Sequence, residues 1–166
     1  SEGHAHGIDP HIWTSPRALK QMAANAYDAL RTSFPDSVRY TENYEKLLVR
    51  LDSLDTACAE ALRQADVHTI VIYHPALTYY AADYGLEQLA VEHDGKEPSA
   101  RHLARLIEEA RRKKVRRVFY QAQYPASTVK VIAEDIGARS VKIDPLREDV
   151  IENIGEITRQ LTSGNE

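Results

Sequence analysis

A single cysteine, Cys58, excludes an intrachain disulfide, and with it any reading of compartment from redox chemistry. No apolar run approaches the length of a membrane span, and no signal-peptide pattern opens the chain. No glycine-rich phosphate loop occurs, which disfavours a nucleotide-binding domain, and neither does a G-x-S-x-G elbow or an H-E-x-x-H helix. Positive charge is not in excess. Lys and Arg number 21 against 25 Asp and Glu, a formal net charge of -4, so nothing points to nucleic acid. The one basic run, Arg111 to Lys114 with Arg116 and Arg117, follows Glu108 and Glu109 where a helix should end. Cations meeting the C-terminal helix dipole explain it. The 166 residues are 43% hydrophobic and 28% charged, a globular mix long enough for one domain with a real core.

Histidine is what the chain has in plenty. Three of its seven histidines, His4, His6 and His11, fall in the first eleven positions. Residues 1–7 form a polar stretch that builds no element and reads as the middle of a loop, as in a fragment or processed piece. His11 is different. Asp9-Pro10 restricts the backbone before it, because proline locks its own φ and biases its predecessor toward extended geometry. Ile12 and Trp13 would anchor the loop by burial, and Ser15-Pro16 reads as an N-cap and first helical residue. Such a histidine is either an ordinary half-buried loop residue or a group held for a purpose.

The spacing predicts a helix from Pro16 to about Ser33, with Leu19, Met22, Ala23, Ala26, Tyr27 and Leu30 on one stripe. A longer helix follows from about Thr41 to Ala65, spanning roughly 40 Å at 1.5 Å per residue, the length of a strut. Cys58 lies on its apolar stripe and reads as a small core residue. From Asp66 onward strands and helices alternate. Strands are predicted at 69–73, 86–91, 115–120 and 139–143, with helices at 75–84, 99–114, 126–136 and 149–161. This is the pattern of an α/β fold, a four-stranded parallel sheet with helices on both faces.

Open parallel sheets bind ligands beyond the carboxyl ends of their strands. The residues there are His74 after the first strand, Glu92 and His93 after the second, Gln121 and Gln123 after the third, and Asp144 after the fourth. His74 and Asp144 each precede a proline, which fixes the turn. Taken singly, His74 is a satisfied turn residue and Asp144 a helix cap. Together with His11 they offer imidazole nitrogen and carboxylate oxygen at one edge, a donor set suited to zinc and also to manganese or iron. His68, at the far edge, and His102, on a charged helix face, are expected to be solvated.

Asp9-Pro10-His11-Ile12-Trp13, the uninterrupted long helix, His74-Pro75-Ala76 with Tyr84-Gly85-Leu86, Glu97-Pro98-Ser99 and Asp144-Pro145-Leu146 occur in this order. The combination resembles the zinc and manganese solute-binding proteins of bacterial ABC importers, over their C-terminal half to two-thirds. The resemblance implies two α/β lobes joined by one rigid helix, with the metal between the lobes on four side chains, two from each. It makes His11 the second ligand of the first lobe, His74 the first ligand of the second lobe, and Asp144 the last. A histidine at position 74 resembles the zinc-type members, since manganese-type members tend to carry glutamate there. His4 and His6 resemble a remnant of the histidine-rich loop of zinc receptors.

On that basis, residues 1–35 are expected to be a remnant of the N-terminal lobe, 36–66 the interlobe helix and 67–166 the C-terminal lobe. The first histidine and most of the first lobe of the family pattern are not in this chain. The implied function is a periplasmic or extracytoplasmic receptor, in either soluble or membrane-anchored form, that hands zinc to an ABC permease and catalyses nothing. The exposed stripe of the first helix invites a homodimer. Two rivals stand beside this reading. One is a zinc hydrolase with an open water position and Glu92 as its base. The other is a surface adhesin.

Overall fold

The computed structural model describes residues 8–163. The β-branched run Thr69–Ile72 forms β1, which is buried on both faces. Three more strands complete the sheet: β2 (Glu87–Ala90), β3 (Arg117–Gln121) and β4 (Arg139–Ile143). The order across the sheet is β2-β1-β3-β4, and every neighbouring pair is parallel. Helices α1 (Pro16–Ser33) and α2 (Val38–Gln64) precede the sheet, after a single 3-10 turn at Ile12–Thr14. Helices α3 (Thr78–Asp83), α4 (Ala100–Arg112), α5 (Ala126–Ile136) and α6 (Val150–Thr162) follow the four strands in turn.

Period-two alternation along β1 sends its side chains into two cores. Ile70 and Ile72 pack with Cys58 and Leu62 of α2, Leu77 and Tyr80 beside and in α3, and Ile154, Ile157 and Leu161 of α6. Val71 and Tyr73 pack on the other face with Leu106 and Ala110 of α4 and Val129, Ile132 and Ala133 of α5. Each fully buried Ile or Leu contributes about 1.5–3 kcal/mol, so both faces must be covered. The sheet with helices on both faces is therefore the arrangement the alternation calls for.

The chain leaves β1 toward the α2 and α6 face and leaves β3 toward the α4 and α5 face. The sheet order thus reverses between β1 and β3. A crevice opens at such a switch point, at the carboxyl ends of the two strands. His74 lies just past one end and Gln121 closes the other.

Local chemistry sets the boundaries. Ser15 accepts the Ala18 N–H at 3.3 Å and caps α1, with Pro16 as its first residue. Gly137, at φ +68°, ends α5 in the left-handed conformation that side-chain-bearing residues avoid. Helix α3 is shorter than the 75–84 expected. The Ala76 N–H bonds back to the His74 carbonyl at 2.8 Å, and the Leu77 N–H is taken by the Gln88 side chain at 2.8 Å. Those two bonds hold residues 74–77 as a turn.

Helix α1 lies along α2. Tyr27 stacks on Tyr44 with centroids 4.3 Å apart, and its hydroxyl meets that of Thr41 at 2.8 Å. Asp55 of α2 gathers Arg17 (3.1 Å) and Lys20 (3.3 Å) from α1 and the hydroxyl of Tyr84 (2.8 Å), just after α3. Met22, Leu30, Phe34, Val38 and Val49 stay exposed on this pair of helices. Cys58 is buried, with its sulfur 3.1 Å from the Thr158 hydroxyl, as a core residue should be. Arg111 and Arg112 close α4, where its C-terminal dipole favours cations.

Candidate metal centre

The loop before α1 is fastened at three points. Tyr79 of α3 donates its hydroxyl to the Asp9 carbonyl at 2.9 Å. The buried Thr14 hydroxyl lies 2.8 Å from the His11 carbonyl and 3.1 Å from that of Ala76, bridging the His11 loop to the His74 turn. Trp13 donates its indole N–H to the Pro145 carbonyl at 2.8 Å. Ile12 and Trp13 are half-buried, so directed hydrogen bonds share the anchoring with burial.

These fastenings bring His11 against His74. Their ring centroids are 5.2 Å apart, edge to face, with side chains 17% and 27% exposed. Each ring meets a carboxylate through Nδ1. His11 Nδ1 lies 2.6 Å from Asp9 Oδ1, which also accepts the His11 backbone N–H at 2.9 Å. His74 Nδ1 lies 2.7 Å from Glu92 Oε1, and Glu92 is only 9% exposed. An ionised carboxylate only accepts, so Nδ1 carries the hydrogen in both rings and Nε2 is the nitrogen left to bind. A carboxylate behind an imidazole is the usual arrangement for a metal-ligating histidine, fixing the tautomer and raising ligand basicity. Burial pushes the Asp9 carboxyl up, but hydrogen bonds from Thr78 and His11 outweigh it and hold it below the ordinary carboxylate value. Tyr124 covers the other side of His74, its ring stacked at 5.3 Å and itself stacked on Tyr73 at 5.0 Å. Burial and the Glu92 charge push the Tyr124 phenol up, so it stays neutral there.

Asp144 stands apart from this pair. It is exposed, its Oδ1 accepts the Leu146 N–H at 3.0 Å, and its carbonyl accepts from Asn153 at 2.8 Å. Among the described residues, no three of the His, Cys, Asp and Glu side chains gather closely enough to hold a metal ion. The structure thus joins His11 to His74. It connects the Asp144 turn to them through the Trp13–Pro145 bond. His4 and His6 lie outside the described residues.

His68 is exposed, as expected. His102 is not: it is half-buried, its Nε2 is 3.2 Å from the Ala90 carbonyl, and its ring stands 5.1 Å from that of His93. The first turn of α4 lies against the end of β2, which removes that side chain from solvent. Sequence reasoning placed Glu92 at the sheet edge but missed its partner, because the pairing of β1 with β2 is what sets it beside His74. The role of Asp9 was open to view, two residues before His11.

The chain thus folds as a doubly wound parallel α/β unit with two carboxylate-backed imidazoles near its switch-point crevice. The chain belongs to the family described as "Zinc-uptake complex component A periplasmic", which matches residues 1–162. It is 32% identical over 148 residues to the zinc-binding lipoprotein AdcA of Streptococcus pneumoniae, covering 87% of this chain and 30% of that protein. It is 27% identical over 145 residues to the high-affinity zinc uptake system protein ZnuA of Bacillus subtilis, covering 86% of this chain and 46% of that one. A crystal structure of ZnuA superposes with a TM-score of 0.88 at 31% identity, over 98% of this chain and 68% of the other. The chain therefore spans about a third to a half of the length of these two curated relatives.

Proposed function

We infer that the chain is part of an extracytoplasmic receptor that captures zinc and delivers it to an ABC permease. The observation that carries this reading is the His11 and His74 pair, two imidazoles side by side with each Nδ1 held by a carboxylate and each Nε2 left over. Nitrogen donors suit zinc over the harder manganese, and the naming of the relatives for zinc points the same way. His11, His74 and Asp144 are the ligands in this reading, with Asp144 reaching the ion from the turn that Trp13 fastens. Zinc is cargo, and no reaction is assigned. Residues 1–35 belong to a first lobe, 36–66 to the connecting helix and 67–166 to the second lobe. The hydrolase alternative loses its base, since Glu92 is engaged with His74. No particular residue favours an adhesin. The exposed Met22, Leu30, Phe34, Val38 and Val49 are the surface through which a homodimer would form.

Zinc titration by calorimetry on the protein and on its His74→Ala variant tests the assignment, with sedimentation equilibrium alongside. Losing an outer partner of a metal-bound histidine costs about 10–100-fold in affinity, so losing the histidine itself should weaken binding at least tenfold. Unchanged affinity would remove His74 from the site. Weak binding that survives the substitution would assign the zinc to the His4 and His6 segment.

A further inference from the structure

Main-chain pairing of β1 stops one residue short of His74. The Tyr73 N–H reaches the Phe119 carbonyl of β3 at 2.9 Å, and the Tyr73 carbonyl accepts the Glu92 N–H at 3.0 Å. Beyond that point β3 turns away, closing on a Tyr124 N–H to Gln121 carbonyl bond of 3.1 Å. The Gln121 side chain takes over from the backbone. Buried to 1% exposure, it donates Nε2–H to the His74 carbonyl at 2.9 Å and accepts the His74 N–H on Oε1 at 3.4 Å.

The far end of the same turn is held from the opposite strand. Gln88 of β2 accepts the Leu77 N–H on Oε1 at 2.8 Å and donates to the Thr78 hydroxyl at 3.0 Å. Leu77 is the N-cap of α3, and its own side chain makes no capping hydrogen bond. A primary amide suits both positions, because it donates and accepts from one planar group where a carboxylate only accepts.

Resting on the zinc reading above, we propose that Gln121 and Gln88 are positioning residues for the metal site. Together they bracket residues 74–78 from the two strands beside β1 and fix the peptide from which the His74 ring projects. The ring then meets Glu92 and Tyr124 already aimed. A binding group must be held within about 0.5 Å of its productive position, so loss of the bracket should show in the metal before it shows in the fold.

The test uses Gln121→Met and Gln88→Met, which keep length and remove hydrogen bonding. Zinc affinity is read by chelator competition, the geometry of the site by the visible absorption of bound Co2+, and the fold by thermal melting. Gln121→Met is expected to weaken zinc about tenfold and to change the Co2+ spectrum, with a smaller change in the same direction for Gln88→Met. If the buried substitution fails to fold, the half-buried Gln88→Met decides the matter by the same two readouts. Folded variants that bind zinc within about twofold of the parent and keep its Co2+ spectrum would overturn the bracket. Equal zinc affinity in the parent and in His74→Ala would instead remove the zinc reading, and with it the proposal, whatever the glutamine variants do.

Discussion

Trp13 donates its indole N–H to the carbonyl of Pro145 across 2.8 Å, so one hydrogen bond fastens the loop of His11 to the turn of Asp144. Trp13→Phe keeps an aromatic ring and loses that donor. A net loss of about 1 kcal/mol in urea unfolding is expected. Zinc affinity should fall several-fold with it, since the Asp144 turn is then free to drift. A stability loss with unchanged zinc affinity would separate that turn from the metal.

Glu92→Gln removes the charge behind the His74 ring and keeps the side chain's shape. Asp9→Asn does the same for His11. Each is expected to lower zinc affinity by about 10–100-fold while the fold stays intact by circular dichroism. The same Glu92 variant discriminates the hydrolase alternative. Ester or phosphoester turnover by the zinc-loaded protein, abolished in Glu92→Gln, would bring that activity back.

Stability should decline in acid through Asp55. Burial pushes this carboxyl up, but hydrogen bonds from Tyr84, Lys20 and Arg17 outweigh it and hold its pKa below the ordinary 3.8. A carboxylate with a depressed folded pKa stabilises fully above its unfolded value, and that contribution is lost as pH falls through the folded value. The melting temperature should therefore drop as pH falls below about 4, with Asp55 among the causes. Asp55→Asn should lower it at neutral pH and flatten the acid limb, which a series of melts from pH 7 to pH 2.5 would record.

Cys58 should be inert in the native protein. Burial pushes its thiol pKa up, and its sulfur faces the Thr158 hydroxyl. A buried thiol that resists ionisation is a poor nucleophile. An aromatic disulfide reagent is expected to label it at the rate of unfolding and at once in urea. Rapid labelling of the folded protein would contradict its place in the core.

The elements visible in the sequence are those whose patterns are self-contained. The centre of β1, Ile70 to Ile72, is apolar at every position because the strand is covered on both faces. The unbroken stripe of α2 needs no partner to be recognised, and its observed start at Val38 lies only a few residues before the Thr41 expected. Helix α3 starts later than the sequence pattern alone suggests, and a side chain from β2, Gln88, takes the Leu77 N–H at its entry. No local propensity records such a bond. The site divides in the same way. His11 and His74 stand out by their prolines, whereas Glu92, Tyr124 and Gln121 acquire their roles only once strands β2 and β3 are known to flank β1.

Helix α2 is about 40 Å long. Its buried residues, Leu51, Cys58 and Leu62, lie from its midpoint onward, while its first half touches α1 through Tyr44 and Thr41. In mechanical terms it is a cantilever clamped at one end. The overhanging half carries a partner of its own, so two helices bend together and resist flexing as a double beam. Any small rotation at the clamped end would be magnified along the overhang toward Val38, so contacts near the clamp, buried Leu51 and the Arg50–Glu152 pair among them, count for more than contacts near the tip.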